Sequence, residues 1–103
     1  MFLGKVIGSV VATKKDEKMN GRKLLLIRPL LIDEKNPATF RPGQNTLVAV
    51  DNLGAGVEDI VLFAQGSSAR QASGLNTMPI DAAVVGIVDT VDVLGHKVYN
   101  GKA

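Results

Sequence analysis

Glycines, serines and one arginine stand close together in the middle of this 103-residue chain. Residues 54–70 read "GAGVEDIVLFAQGSSAR", so two glycine-containing loops flank a short apolar run. The backbone amides of glycine-rich loops bind phosphates, and a serine beside a base can act as a nucleophile. The first question is therefore whether this stretch binds a phosphate or performs catalysis.

The first loop departs from the known phosphate-binding patterns. A dinucleotide fingerprint needs G-x-G-x-x-G between a strand and a helix, but Gly54-Ala55-Gly56 has no third glycine and leads into a strand-like run. A P-loop needs Gly-Lys followed by Ser or Thr, which the sequence lacks. The carboxylates of Glu58 and Asp59 would also repel a phosphate. The loop is therefore predicted to be a tight turn that uses glycine's access to positive φ.

The serines of the second loop lack the partners that catalysis requires. A nucleophilic serine needs a base, and the only histidine, His96, lies in the polar C-terminal segment with Asp92 nearby in sequence. Arg70 stands where a G-x-S-x-G elbow has glycine. Ser67 or Ser68 is instead predicted to cap a helical turn. Arg70 presents five donors in a rigid fork, so we expect it to reach a neighbouring chain.

The other polar residues form no catalytic or metal-binding pattern. Asp51, Asp81, Asp89 and Asp92 are scattered at strand ends or within the last apolar run. A metal site needs histidines, cysteines or convergent carboxylates, and the chain has one histidine and no cysteine. We therefore expect no catalytic residue, no metal and no cofactor, and a protein that is not an enzyme.

Length and composition predict a single domain over residues 1–103. The chain is 46% hydrophobic and 21% charged, as globular proteins commonly are. A net charge of +2 gives no electrostatic case for binding nucleic acid or a membrane. The N-terminus lacks the form of a signal peptide, and no stretch approaches the roughly 20 apolar residues of a spanning helix. We expect a soluble, cytoplasmic protein.

Short strands must position these loops, because the apolar runs are brief, rich in Val, Ile and Leu, and separated by turn residues. Five strands are predicted at 2–13, 23–32, 46–51, 59–65 and 82–94. A surface loop is expected at 33–45, a helical turn at 66–73, and a polar tail, peripheral or in contact with a partner, at 95–103. The predicted fold is mainly β: a small OB-like five-stranded β-barrel with one short helix.

Local features refine this barrel. The even positions of the first strand are apolar or small, so they should face the core, and Gly4 and Gly8 should mark close approach of the backbone. Asn20-Gly21 is a favoured hairpin dipeptide. Pro29 has no N–H to donate, so it is expected at a sheet edge or a bulge. The last run begins with residues that are apolar on both faces, which predicts a central strand.

A basic segment leaves open a second class of function. Six basic residues lie close together: Lys14, Lys15, Lys18, Arg22, Lys23 and Arg28. An OB-like barrel with a basic loop could bind single-stranded nucleic acid, but that mode also needs aromatic stacking platforms. The chain offers only Phe2, Phe40, Phe63 and Tyr99, with no pair at strand spacing. A nucleic-acid-binding module of OB type is therefore the alternative to a protein that assembles into a ring of like subunits.

Four blocks of the chain resemble one known family, in the same order and over nearly the whole length. They read "GKVIGSVVATKK", "MNGRKLLLIRPL", "AVDNLGAGVEDIVLFAQGSSAR" and "PIDAAVVGIVDTVDV". Together they resemble the EutN/CcmL family, the pentameric vertex proteins of bacterial microcompartment shells. The resemblance departs at Glu58, Asp59 and Ile60, where the family commonly has Gly-Glu and an aromatic residue.

The resemblance implies a structural role in the cytoplasm. It implies an OB-like barrel that forms a closed ring of five copies, caps the vertices of a polyhedral shell and meets hexameric shell-tile proteins. The interface of such a ring is heterologous, since one patch meets a different patch on the next subunit. We expect the two glycine-containing loops at this interface. The candidate interface residues are Gly54, Ala55, Gly56, Ser67, Ser68 and Arg70.

Overall fold

The computed structural model of the protein describes residues 1–12, 17, 21–71 and 80–101, and of Ser68 and Arg70 the backbone alone. The strands are β1 (Phe2–Val10), β2 (Lys23–Ile32), β3 (Phe40–Pro42), β4 (Leu47–Asp51), β5 (Ile60–Gln65), β6 (Ala82–Ile87), β7 (Thr90–Val93) and β8 (His96–Asn100). A 3₁₀ helix follows β5 at Gly66–Gln71. The described part of the chain contains no helix with the length and apolar character that a membrane span requires.

Five strands close into a barrel. Their order is β1-β5-β6-β4-β2, and β2 pairs back onto β1, so the sheet has no gap. All of these pairs are antiparallel except β4 with β6, which is parallel. The predicted OB-like five-stranded barrel is therefore confirmed. The strand expected to be central, β6, does lie between two partners.

Side chains fill the barrel interior. The largest fully buried ones include Val6, Leu25, Ile27, Val61 and Phe63. Strands β1 and β2 supply the first three and show the alternation of a strand with one face on a core, whereas β5 is buried on both faces. The interior is therefore packed rather than hollow, as expected for a barrel of so few strands.

The close approach predicted on β1 occurs at Gly4. A Cβ there would overlap Cγ2 of Ile27 and lie 2.9 Å from Cε1 of Phe63. The close approach predicted at Gly8 does not occur, because an added Cβ would lie 4.0 Å from Leu26, an ordinary contact. Gly8 instead adjoins a bulge, since the register of β1 against β2 shifts between Val6 and Gly8.

Pro29 lies inside the sheet, at a break between two partners of β2. Strand β4 pairs with β2 only as far as Ile27, and β3 begins its pairing at Leu30. The carbonyl of Pro29 accepts a hydrogen bond from the Gly43 N–H at 2.7 Å. The N–H that proline lacks would point into the gap between β4 and β3, so its absence removes no hydrogen bond from the sheet. Pro29 therefore lies neither at an outer edge nor at a bulge, which were the two predicted sites.

The structure corrects several predicted boundaries. The first strand ends at Val10, short of residue 13. The predicted loop at 33–45 contains β3, whose three residues are too few to show a period in the sequence. Gly21 has φ 76° and forms a turn, while Asn20 lies outside the described residues.

The C-terminal part differs most from its prediction. The run at 82–94 is two strands, because β6 ends at Ile87 and the chain turns away before β7. The predicted polar tail at 95–103 contains β8, which pairs with β7 as a hairpin. The sequence reading missed this hairpin because its turn is Leu94-Gly95, and leucine is not a residue that signals positive φ.

Replacing Gly4 with alanine should destabilise the barrel. The new methyl group would meet two well-packed core side chains, so we expect Gly4→Ala to lower the free energy of unfolding by about 1–3 kcal/mol. Urea unfolding followed by circular dichroism at fixed protein concentration measures it. Gly8→Ala is the matched control and should change stability by less than about 0.5 kcal/mol. Equal effects of the two substitutions would contradict this account of Gly4.

Candidate subunit interface

Both glycine-containing loops are anchored near the end of β4. The first loop follows β4 directly, and Ala55 donates its N–H to the Asp51 carboxylate. Ala69 of the 3₁₀ helix belongs to a small buried cluster with Val50, the residue before Asp51, and with Ala83 of β6. Ala55 belongs instead to the barrel core, so different clusters fix the two loops near the same strand end.

Asp51 holds the first loop in place. Its side chain is fully buried, and Oδ1 and Oδ2 accept hydrogen bonds from the N–H groups of Leu53 and Ala55, each at 2.8 Å. Lys23 Nζ lies 3.8 Å from Oδ2 and donates to the Ala55 carbonyl. Sequence reasoning treated Asp51 only as a scattered acid. The signal that could have found it is an aspartate opening a glycine-containing turn, where its side chain commonly bonds the backbone two residues on.

Ala55 serves its own subunit. Its side chain is fully buried and belongs to the barrel core with Val6, Phe63 and others. What this loop offers to another molecule is Gly54, which is exposed with φ 86°, and the side chains of Leu53 and Val57, which are 51% and 58% exposed. These two apolar residues were not among the candidates, and their contact with a neighbour stays a hypothesis.

The second loop is a short helix held by the buried side chain of Ala69. Ala69 is fully buried, while Ser67 is exposed. The helix begins at Gly66, whose N–H donates to the Asp81 carbonyl at 2.7 Å, so Ser67 and Ser68 lie inside the helix instead of at its predicted cap. The contacts predicted for the Ser68 and Arg70 side chains lie outside what the structure describes.

The turn before β5 contains a strained residue. Glu58 has φ 79°, which side chains other than glycine rarely adopt. Its N–H donates to the Val6 carbonyl at 2.9 Å, and its carboxylate lies 2.9 Å from Lys5 Nζ. Asp59 closes the turn by accepting the Gly56 N–H at 2.8 Å. The turn therefore keeps a geometry suited to glycine although this chain has glutamate.

The residues weighed for catalysis or metal binding do not converge where the structure describes them. His96 is exposed on β8, and the Asp92 carboxylate lies 4.0 Å from Lys97 Nζ. Within the described ranges no three His, Cys, Asp or Glu residues could jointly hold a metal ion. An open groove of about 420 Å³ is lined by Ile32, Asp33, Glu34, Lys35 and Arg41.

The aromatic residues weighed for nucleic-acid stacking lie mainly in the fold's own packing. Phe63 is buried, and Phe2 stacks on it with ring centroids 5.5 Å apart. Lys14, Lys15 and Lys18 of the basic segment lie outside the described residues. Arg22, which belongs to the same segment, donates to the Asn52 side chain at 3.3 Å.

Removing the Asp51 carboxylate should release the first loop and destabilise the barrel. Asp51→Ala leaves buried N–H groups without their acceptor, so we expect a loss of about 3 kcal/mol in unfolding free energy, measured by urea titration. Asp33→Ala is the matched control, because Asp33 accepts two backbone N–H groups in the same way at an exposed turn, where water can replace it. That change should cost under about 1 kcal/mol. If both variants lose the same amount, burial of Asp51 is not the cause.

Glycine at position 58 should stabilise the turn. Glu58→Gly removes left-handed strain of about 1–2 kcal/mol and gives up only an ion pair that lies at the surface. After the added chain entropy of glycine, we expect a net gain of about 0.5–1 kcal/mol in unfolding free energy. Glu58→Gln, which keeps the strain and removes the charge, should stay within about 0.5 kcal/mol of the parent. A loss of stability in Glu58→Gly would refute the strain.

Comparison with known proteins gives concordant relatives. A family model described as "Ethanolamine utilisation protein EutN/carboxysome" matches residues 1–89. The bacterial microcompartment shell vertex protein GrpN of Rhodospirillum rubrum is 51% identical over 94 residues, which cover 91% of this chain and 99% of GrpN. The carboxysome shell vertex protein CcmL of Gloeobacter violaceus is 43% identical over 102 residues, which cover 99% of this chain and 96% of CcmL.

Solved structures agree with the sequence matches. The structure of Gloeobacter violaceus CcmL superposes with a TM-score of 0.85 at 44% identity and covers 100% of both chains. The pentameric microcompartment shell protein GrpN superposes with a TM-score of 0.72 at 49% identity, over 91% of this chain and 99% of that one. The barrel, its sequence blocks and these relatives together establish that the chain belongs to the EutN/CcmL family of microcompartment shell proteins.

Proposed function

We propose that this protein is a structural subunit of a bacterial microcompartment shell and that five copies form a closed ring capping a vertex of the shell. The observation that carries the proposal is the match over nearly the whole chain to shell vertex proteins, one of them solved as a pentamer. The family assignment does not support the alternative of a nucleic-acid-binding module. The protein acts in the cytoplasm, as part of the shell.

The geometry of a closed shell gives the ring its purpose. Flat tiles of six-fold symmetry alone make a sheet, and five-fold tiles introduce the curvature that closes it. We infer that hexameric shell-tile proteins of the same compartment surround the ring. This structural role requires no catalysis by the chain. The names of its relatives likewise describe a place in the shell and not a reaction.

The barrel suits assembly through loops and side chains. Because its five strands close on themselves, they leave no long edge for adding a strand of another chain. A ring of like subunits needs two different patches on each copy. We infer that the seam includes the first loop at Gly54 and Gly56, which Ala55 anchors in its own core, and the helix with Ser67, Ser68 and Arg70. Backbone and small side chains there allow close approach. Both segments are anchored near the end of β4, which supports their contributing to the same seam.

Native mass spectrometry tests the ring. The purified chain should give a mass of five subunits, and sedimentation velocity should show the same species in solution. An oligonucleotide added at low salt should remain unbound, since salt-dependent binding by a monomer is the signature of the alternative. A monomer at all concentrations would overturn the proposed function.

Arg70→Glu tests the seam within that same experiment. Reversing this charge should place a carboxylate against the acceptors that the guanidinium meets, so rings should dissociate while circular dichroism shows a folded barrel. Arg41→Glu is the matched control: the same reversal on exposed β3, which is expected to leave the ring unchanged. If Arg70→Glu still forms a full ring, the assignment of Arg70 to the seam is wrong, but the proposed ring is not affected.

A further inference from the structure

The C-terminal hairpin is an element that packs little against its own barrel strands. Strands β7 and β8 form a two-stranded sheet separate from the barrel sheet, and they make no substantial contact with any barrel strand or with the 3₁₀ helix. The Gly101 N–H closes its base by donating to the Asp89 carbonyl at 2.8 Å. A lone two-stranded hairpin is marginally stable in water. Val91, Val93 and Tyr99 are only half-buried in the isolated chain, so a surface on another molecule would stabilise the hairpin.

The tip of the hairpin carries an unexpected residue. Leu94 and Gly95 have φ 49° and 81°, which is the pattern of a two-residue type I′ turn, and Val93 pairs with His96 beside it. Asparagine suits the first position of such a turn, whereas leucine is strained there. Leu94 is also 74% exposed. Strain and an exposed apolar side chain at the same position point to a contact that the isolated chain does not contain.

A second copy of the chain can supply that contact. Exposed apolar side chains occur on the barrel at Val48 of β4, at Leu53 and Val57 of the first loop, and at Ile87 of β6. Leu53 and Val57 belong to the loop that the proposed ring places in its seam, so a hairpin seated there continues that interface.

The overall shape provides the reach. The molecule measures 45 × 26 × 23 Å and has a radius of gyration of 14.3 Å, where a compact chain of this length has about 13 Å. Five extended residues in β8 span roughly 17 Å, which is most of the width of a barrel of this size. A hairpin of this length that packs little against its own barrel can lie across the next one.

We propose that the hairpin docks on the barrel of the adjacent copy in the ring, with Leu94 inserted between that copy's exposed apolar side chains. The proposal rests on the proposed function, because it needs neighbouring copies. It adds an intersubunit contact beyond the part that the family model matches, which ends at residue 89 where the hairpin begins. The hairpin therefore reinforces a ring that the barrel also holds.

Two substitutions at Leu94 distinguish the effect of losing the intersubunit contact from the effect of changing the turn. Leu94→Asn favours the type I′ turn and removes the apolar side chain, whereas Leu94→Met keeps an apolar side chain at the same φ. Sedimentation velocity across a dilution series, in a urea concentration that partly dissociates wild-type rings, measures the chain concentration at which half the rings fall apart. We expect that concentration to rise about tenfold for Leu94→Asn, as loss of one anchor residue commonly produces, and to change less than about twofold for Leu94→Met.

The outcomes distinguish the two proposals. A wild-type chain that never forms rings overturns the proposed function and the docking with it. Wild-type rings with an unchanged dissociation concentration for Leu94→Asn overturn the docking and leave the ring standing.

Cross-linking identifies what the tip touches. The chain has no cysteine, so Leu94→Cys gives a single site for a benzophenone maleimide. Irradiation of rings should join two chains, and mass spectrometry should place the partner peptide on the barrel, in residues 47–58 or 82–87. Cross-links that form only with an added shell-tile protein, or no cross-links in intact rings, would overturn the proposal.

Discussion

Everything in this molecule depends on β1 pairing with two strands at once. It hydrogen-bonds β5 on one side and β2 on the other, and this double pairing turns an open sheet into a barrel. Strands can curve this tightly only where the backbone passes close to the core, and at Gly4 the space for a Cβ is already taken by Ile27 and Phe63. The bulge between Val6 and Gly8 adds local twist where β1 continues along β2 beyond its pairing with β5.

Closure decides where the chain can meet other molecules. A closed barrel leaves few unpaired backbone groups, so association falls to loops, to outward side chains and to the hairpin of β7 and β8. The loop after β4 is rigid because the buried Asp51 carboxylate holds it from within. The helix after β5 is held by Ala69 against the outside of the same strand end. A surface built on such fixed points can present one shape to each neighbour in a ring, which is what a shell vertex needs.

Two residues adopt a backbone conformation that their side chains disfavour, and they have different surroundings. Glu58 is held by hydrogen bonds to β1 within its own subunit, so the rest of the turn compensates for its strain. Leu94 stands at the tip of a hairpin that packs little against its own barrel strands, where no comparable interaction within the described part of the chain compensates. The strain at Glu58 therefore tells us about the fold of the subunit, whereas the strain at Leu94 points to a partner.

The amino-acid pattern alone determined the barrel strands closely: β2 at residues 23–32 agrees residue for residue, and the buried positions Gly4 and Val6 of β1 follow from its alternation. It also indicated the family, since the four ordered blocks can be recognised in the sequence without a structure. Only the tertiary structure decided that Ala55 lies in the core, that Asp51 is a buried acceptor and that the polar C-terminal segment forms a hairpin. Burial of a carboxylate depends on N–H groups that the folded loop brings to it, and a type I′ turn at Leu94-Gly95 contradicts local preference. Such features arise from pairing between distant residues, which no local pattern of apolar and polar residues encodes.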